Sequence, residues 1–160
     1  MRIIEGTRPA SGLKFAVVVS RYNDFVTDRL QTGALAALAH AGVRDEDITL
    51  IRVPGAFEIP AAARLAANTS GFDGIVCLGC LIKGATPHFE YISSAVAHGL
   101  TAAAGESGIP MAFGVLTTNS VEEALERAVD GPSNKGWEAA QATIEMALIA
   151  ADLSNPASNA

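Results

Sequence analysis

The sequence predicts an α/β protein, a parallel β-sheet covered by helices on both faces, with its chemistry at the turn from Gly79 to His88. Three observations carry this. Short β-rich apolar runs alternate with segments of helical period, the pattern of parallel strands joined by crossover helices. Within the longer segments apolar residues recur at three- and four-residue steps, as in Phe89, Ile92, Val96, Leu100 and Ala103. A length of 160 residues fits one domain with a real core and leaves no room for a separate catalytic partner domain.

Taken in order, strands are expected at residues 2–5, 14–19, 48–53, 74–80 and 111–116, each a short run rich in Val, Ile, Leu or Phe. A helix over 25–41 should stop at Gly42, a second spans 58–67, and a third over 87–104 should stop at Gly105. Two more cover 121–128 and 135–153. The domain is therefore expected over 1–153, followed by a polar, proline-containing tail over 154–160. On the last helix Trp137, Ala140, Ile144, Ala147, Leu148 and Ala151 form one apolar stripe, and Met146, Ile149, Ala150 and Leu153 form a second beside it. The first is expected on the sheet, the second against another subunit, which would also explain an apolar content of 49%.

Composition excludes several classes. A net charge of −6 with no basic run argues against nucleic acid and anionic membranes as partners. No apolar run approaches the roughly 18 to 20 residues of a membrane span. The N-terminal MRIIEGTRPASGLK has no apolar export core with a cleavage site, so a soluble cytoplasmic protein is expected. Cys77 and Cys80 form a C-x-x-C, but on a strand side chains three apart point to opposite faces, so buried packing is expected rather than a metal or redox site.

The unusual residues fall where the expected strands end. Arg21, Tyr22 and Asn23 follow the second, Pro54 to Glu58 the third, Leu81 to His88 the fourth, and Phe113 with Thr117, Thr118 and Asn119 is placed at the end of the fifth. Ligands of open parallel sheets bind at that edge. In LGCLIKGATPHFEYI, Gly79 and Gly84 permit close backbone approach, Thr86 is expected as N-cap and Pro87 at the first helical position. The amides of Ala85 and Thr86 would then receive an anion, with His88 beside it able to take and return protons. An ordinary capped turn is the plainer alternative. Glu58 opens a helix, where the dipole favours a carboxylate, and could accept hydrogen bonds from ligand hydroxyls. Tyr22 could stack on a planar ring as readily as close a turn. Arg127 and Lys135 flank one loop, a geometry suited to a phosphate ester or an anionic ring, or simply a solvated pair. His40 reads as helix-end surface, His98 as packing or interface, and no three residues read as metal ligands.

Together PGAFEIP, LGCLIKGATPHFEYI, FGVLTTNSVEEALERA and NKGWEAA, in this order and spacing, resemble the 6,7-dimethyl-8-ribityllumazine synthases of riboflavin biosynthesis, over about residues 3–153. The resemblance implies a flavodoxin-like three-layer α/β/α sandwich and a transferase. Its reaction condenses 5-amino-6-(D-ribitylamino)uracil with L-3,4-dihydroxy-2-butanone 4-phosphate, releasing phosphate and water, with no metal or organic cofactor. It implies His88 as proton carrier, and Arg127 with the amides of Ala85 and Thr86 as holder of the departing phosphate. Glu58 would bind ribityl hydroxyls, Ala56 and Ile82 would offer backbone contacts, and Phe113 and Lys135 would meet the pyrimidine. Tyr22, where many members have phenylalanine, would stack on the ring, and Asn23, Phe57, Cys80 and Leu81 complete the substrate-binding set. It further implies a homo-oligomer whose site lies between subunits, with Phe113, Arg127 and Lys135 from the neighbour. Pentamer and 60-mer are both known; the Arg127 to Lys135 spacing favours the shell, with riboflavin synthase a candidate partner.

Overall fold

Two runs are so apolar that they must lie between layers, and they form the middle of the sheet. β1 (Phe15–Ser20) is buried along its whole length, and β3 (Gly74–Ile82) is buried from Gly74 to Cys80. The computed structural model describes residues 1–155 and adds β2 (Ile48–Val53) and β4 (Met111–Thr118) as the edges. The order is β2-β1-β3-β4, and all neighbours are parallel.

Alternation of side chains along the strands sorts the core into two halves. Phe15, Val17 and Val19 of β1, with Val76, Leu78 and Cys80 of β3, pack against α1 (Asp24–His40) and α5 (Lys135–Ser154). Ala16, Val18, Ile75 and Cys77 face α2 (Ile59–Asn68) and α3 (His88–Ser107) on the other side. The α/β/α layering read from the sequence is thus present. Leu30, Leu38 and Leu148 are fully buried in the first half, and each such side chain contributes about 1.5–3 kcal/mol. Cys77 and Cys80 lie on opposite faces as expected, and burial pushes their thiols up to about 12 and about 11.

Some boundaries differ from the expectation. Residues 2–5 form no strand: the segment around them lies along α5, where Arg8 pairs with Asp152 at 2.9 Å and Gly6 sits against the backbone of Glu145. Without a ladder partner, the two isoleucines between Arg2 and Glu5 do not make a sheet strand. α3 runs past Gly105 and stops at Gly108, whose φ of 72° is the left-handed turn that ends a helix. α4 (Val121–Glu126) is shorter than expected, and Arg127 is its C-cap. α5 ends at Ser154; the expected tail from 156 onward lies outside the described residues. On α5 the first stripe is covered, whereas Met146 and Leu153 of the second are 51% and 64% exposed. Among the described residues no helix is long and apolar enough to cross a membrane.

The strand order positions the site. From β1 the chain crosses to β2 on one side and then returns to β3 on the other, so the loops leaving β1 and β3 diverge and open a crevice at their carboxyl ends.

Candidate active site

A cavity of about 570 Å³ occupies that crevice, within the size range of small-molecule sites. Asn23 shapes its β1 wall. It adopts the left-handed conformation, φ 61° and ψ 44°, at the N-cap of α1, yet its side chain does not cap that helix. Its Nδ2 donates instead to the Cys80 carbonyl at 2.9 Å, joining the end of β1 to the end of β3. The Arg21 and Tyr22 amides donate to Val53 and Pro54 carbonyls at 2.8 and 3.1 Å, tying the same loop to β2. Tyr22, held between these anchors, stands 72% exposed at the rim.

The loop after β2 brings Ala56, buried, Phe57, 60% exposed, and Glu58, whose carboxylate folds back over Gly55. From β3 come Leu81 and Ile82, half-buried, followed by Gly84, Thr86 and His88. α3 begins at His88 with Pro87 in the cap position, one residue later than expected. Thr86 is therefore not the N-cap: its hydroxyl bonds no helix amide, because proline takes the place where a capping side chain would stand. The amides of Ala85 and Thr86 have no partner among the described residues, which keeps them open toward an anion at the start of the helix. Cys80 and Ala85 do not line the cavity: Cys80 enters only through its carbonyl to Asn23, and Ala85 is exposed in the turn itself.

The remaining three site residues lie elsewhere. Phe113, Arg127 and Lys135 line a second cleft of about 410 Å³ between β4 and the N-terminal part of α5. Phe113 is the third residue of β4, paired in register with Cys77. It is not at the strand's carboxyl end as expected: Thr118 lies five positions further on, roughly 16 Å at the rise of a strand. On an edge strand it is 48% exposed. Arg127 donates through Nη1 to the Glu123 carbonyl at 2.9 Å, and Lys135 Nζ pairs with Glu138 at 2.6 Å. The two cations are joined by backbone as well, since the Lys135 amide donates to the Arg127 carbonyl at 2.9 Å.

Pro54 and Gly55, placed at the ligand edge by the sequence, do line the first cavity; not foreseen as site residues were Phe89 and Ile92 there, and Glu138 and Ala142 on the second. Phe89 and Ile92 were legible only as helix-periodic residues, yet they turn toward the cavity while Val96, Leu100 and Ala103 below them are buried. Glu138 sits three residues after Lys135 on one helix face, a spacing that signals the pair. His40 ends α1 and its ring meets Trp137 at 5.8 Å. His98 is exposed, with Nδ1 2.8 Å from the Ser94 carbonyl.

A four-stranded parallel sheet flanked by helices on both faces, with a crevice at its switch point, defines a flavodoxin-like α/β domain. The family model described as 6,7-dimethyl-8-ribityllumazine synthase matches residues 12–151. A protein of that name from Syntrophus aciditrophicus (strain SB) is 50% identical over 144 residues, covering 90% of this chain and 94% of the relative. The chain belongs to the 6,7-dimethyl-8-ribityllumazine synthase family.

Proposed function

We propose that the chain condenses 5-amino-6-(D-ribitylamino)uracil with L-3,4-dihydroxy-2-butanone 4-phosphate to 6,7-dimethyl-8-ribityllumazine, releasing phosphate and water, at a site completed by a second copy of the chain. Family membership supports the reaction. One observation supports the shared site: the motif residues divide between two open clefts of one chain, each chemically incomplete. The first offers a proton carrier, unoccupied amides and a carboxylate, and lacks a cation for the phosphate. The second offers Arg127, Lys135 and the half-exposed ring of Phe113, and lacks an imidazole.

In this reading His88 moves protons near the attacking amine, and Glu58 accepts hydrogen bonds from ribityl hydroxyls. Tyr22 stacks on the pyrimidine, with Asn23, Ala56, Phe57, Leu81 and Ile82 forming the walls. Arg127 from the neighbouring copy, with the Ala85 and Thr86 amides, receives the phosphate as it leaves. Lys135 and Phe113 of that copy close over the ring. Holding two small molecules together replaces a bimolecular encounter with a local one, the main source of acceleration available without a cofactor.

The assembly is a closed homo-oligomer, either a pentamer or a 60-mer, the latter favoured by the Arg127 to Lys135 spacing; riboflavin synthase is a candidate partner and the cytoplasm the working location. The open second stripe of α5 and the exposed Phe113 and Val129 support burial against another copy. Incubation with both substrates, followed by lumazine absorbance and phosphate release, tests the reaction. Formation of both products is expected, and absence of both would overturn it. Light scattering tests the assembly, because a monomer at micromolar concentration contradicts a shared site.

A further inference from the structure

We propose that Asn134 is a positioning residue that holds Arg127, the cation that meets the phosphate-bearing substrate, in a fixed place beside the start of α5. The inference rests on the assignment of Arg127 to that substrate. Between Arg127 and Lys135 runs the loop from Ala128 to Asn134, and Asn134, 1% exposed, is its only buried polar side chain.

Its carboxamide is fully engaged. Oδ1 accepts from the amides of Gly136 and Trp137 at 2.7 and 3.2 Å, capping α5 where Lys135 begins it. Nδ2 donates to the Val129 carbonyl at 3.0 Å, two residues past Arg127, and to the Arg29 carbonyl of α1 at 3.1 Å. One side chain therefore joins the loop behind Arg127, the helix start that carries Lys135, and a rigid helix of the core. Both donors and both acceptor sites of the amide are used. The Asn134 amide also donates to Gly131 at 3.1 Å, drawing the loop closed under the Lys135 to Arg127 backbone bond.

The surroundings are shaped around this amide. A Cβ on Gly33 would lie 2.3 Å from Oδ1, and one on Gly136 would lie 2.0 Å from the Leu30 carbonyl and 2.9 Å from Oδ1. Two helices thus approach the carboxamide at positions where only glycine fits. A helix cap alone needs only the acceptor oxygen, which Ser or Asp supplies equally well. What Asn adds is the pair of donors to Val129 and Arg29, and these fix the loop rather than the helix.

Asn134→Asp and Asn134→Ser keep an acceptor for the cap and remove the two donated bonds. Asp sets a carboxylate against two carbonyls, whereas Ser leaves room for water, so the pair guards against loss of folding by either one. Inorganic phosphate affinity is measured by calorimetry on the assembled protein, and steady-state constants with both substrates, for wild type, each variant, Arg127→Ala and the double variants. The expected result is a tenfold or greater loss of phosphate affinity and a matching rise in KM for the butanone phosphate. Thermal midpoint and assembly size should stay close to wild type in at least one variant. In the Arg127→Ala background the Asn134 change should have no further effect on phosphate affinity, because it acts through Arg127. Unchanged phosphate affinity in a folded variant, or a full additive loss beside Arg127→Ala, would overturn the role. Failure of the wild-type enzyme to turn over its substrates would instead count against the functional assignment, and the phosphate measurement separates the two.

Discussion

Replacing Arg127 with alanine should weaken the phosphate-bearing substrate far more than it slows chemistry. A guanidinium carries five N–H donors, and Nη1 uses one on the Glu123 carbonyl at 2.9 Å, which fixes the head and leaves a fork free. A fork makes two charge-assisted hydrogen bonds to a phosphate, each about 1.5–3 kcal/mol. Because the amides of Ala85 and Thr86 remain, the net loss should lie near the value of one strong bond, about 3 kcal/mol, or roughly 150-fold in affinity. Arg127→Lys keeps the charge without the fork and should recover only part of this. The assay is KM for the butanone phosphate at saturating pyrimidine, with the inhibition constant of inorganic phosphate as an independent measure. A change below threefold in both, in an assembled protein, would refute the assignment.

Other consequences follow from the same geometry. His88→Ala should lower kcat by roughly two orders of magnitude, the usual range of a proton-transfer group, while substrate KM values change little; the reverse split would make His88 a binding residue. Neither Cys77 nor Cys80 should react with an alkylating reagent at pH 8 in the native protein, and both should react in denaturant. The folded thiols titrate at about 12 and about 11 against an ordinary 9.0, so the native state holds their protons more tightly than the unfolded chain does. Their contribution to stability is complete below pH 9 and is lost as pH rises from 9 toward 11 and 12. The urea midpoint should fall across that window; if Cys77→Ala and Cys80→Ala variants show the same fall as wild type, the burial argument fails.

Central strands and long helices were legible because their signals are local. FAVVV and GIVCLGC carry no charged or polar side chain, and a strand covered on both faces reads that way. Residues 2–5 offer only Ile3 and Ile4 between two charges and form no strand, since a strand also needs an edge to join, which no local pattern reveals. Gly105 and Gly108 look alike in sequence, but only Gly108 sits where the backbone turns left-handed. The first cavity was readable as strand ends, because position in a parallel sheet predicts the ligand edge. The separation of Phe113, Arg127 and Lys135 from His88 was implied by resemblance alone: spacing along a chain does not tell which copy a residue faces. Asn134 stood in the motif NKGWEAA, but its tie to α1 was not legible for a related reason, since its partner Arg29 is 105 residues away.

Complementation between two inactive variants tests the shared site most directly. His88→Ala chains and Arg127→Ala chains, each nearly inactive alone when the butanone phosphate is held near the wild-type KM and far below that of the Arg127 variant, are co-expressed in equal amounts and assembled at random. If each site takes His88 from one copy and Arg127 from its neighbour, about a quarter of the sites should carry both residues intact, and activity should rise to roughly a quarter of wild type. If both residues serve from the same chain, every site carries one lesion and the mixed assembly should stay at the level of the single variants.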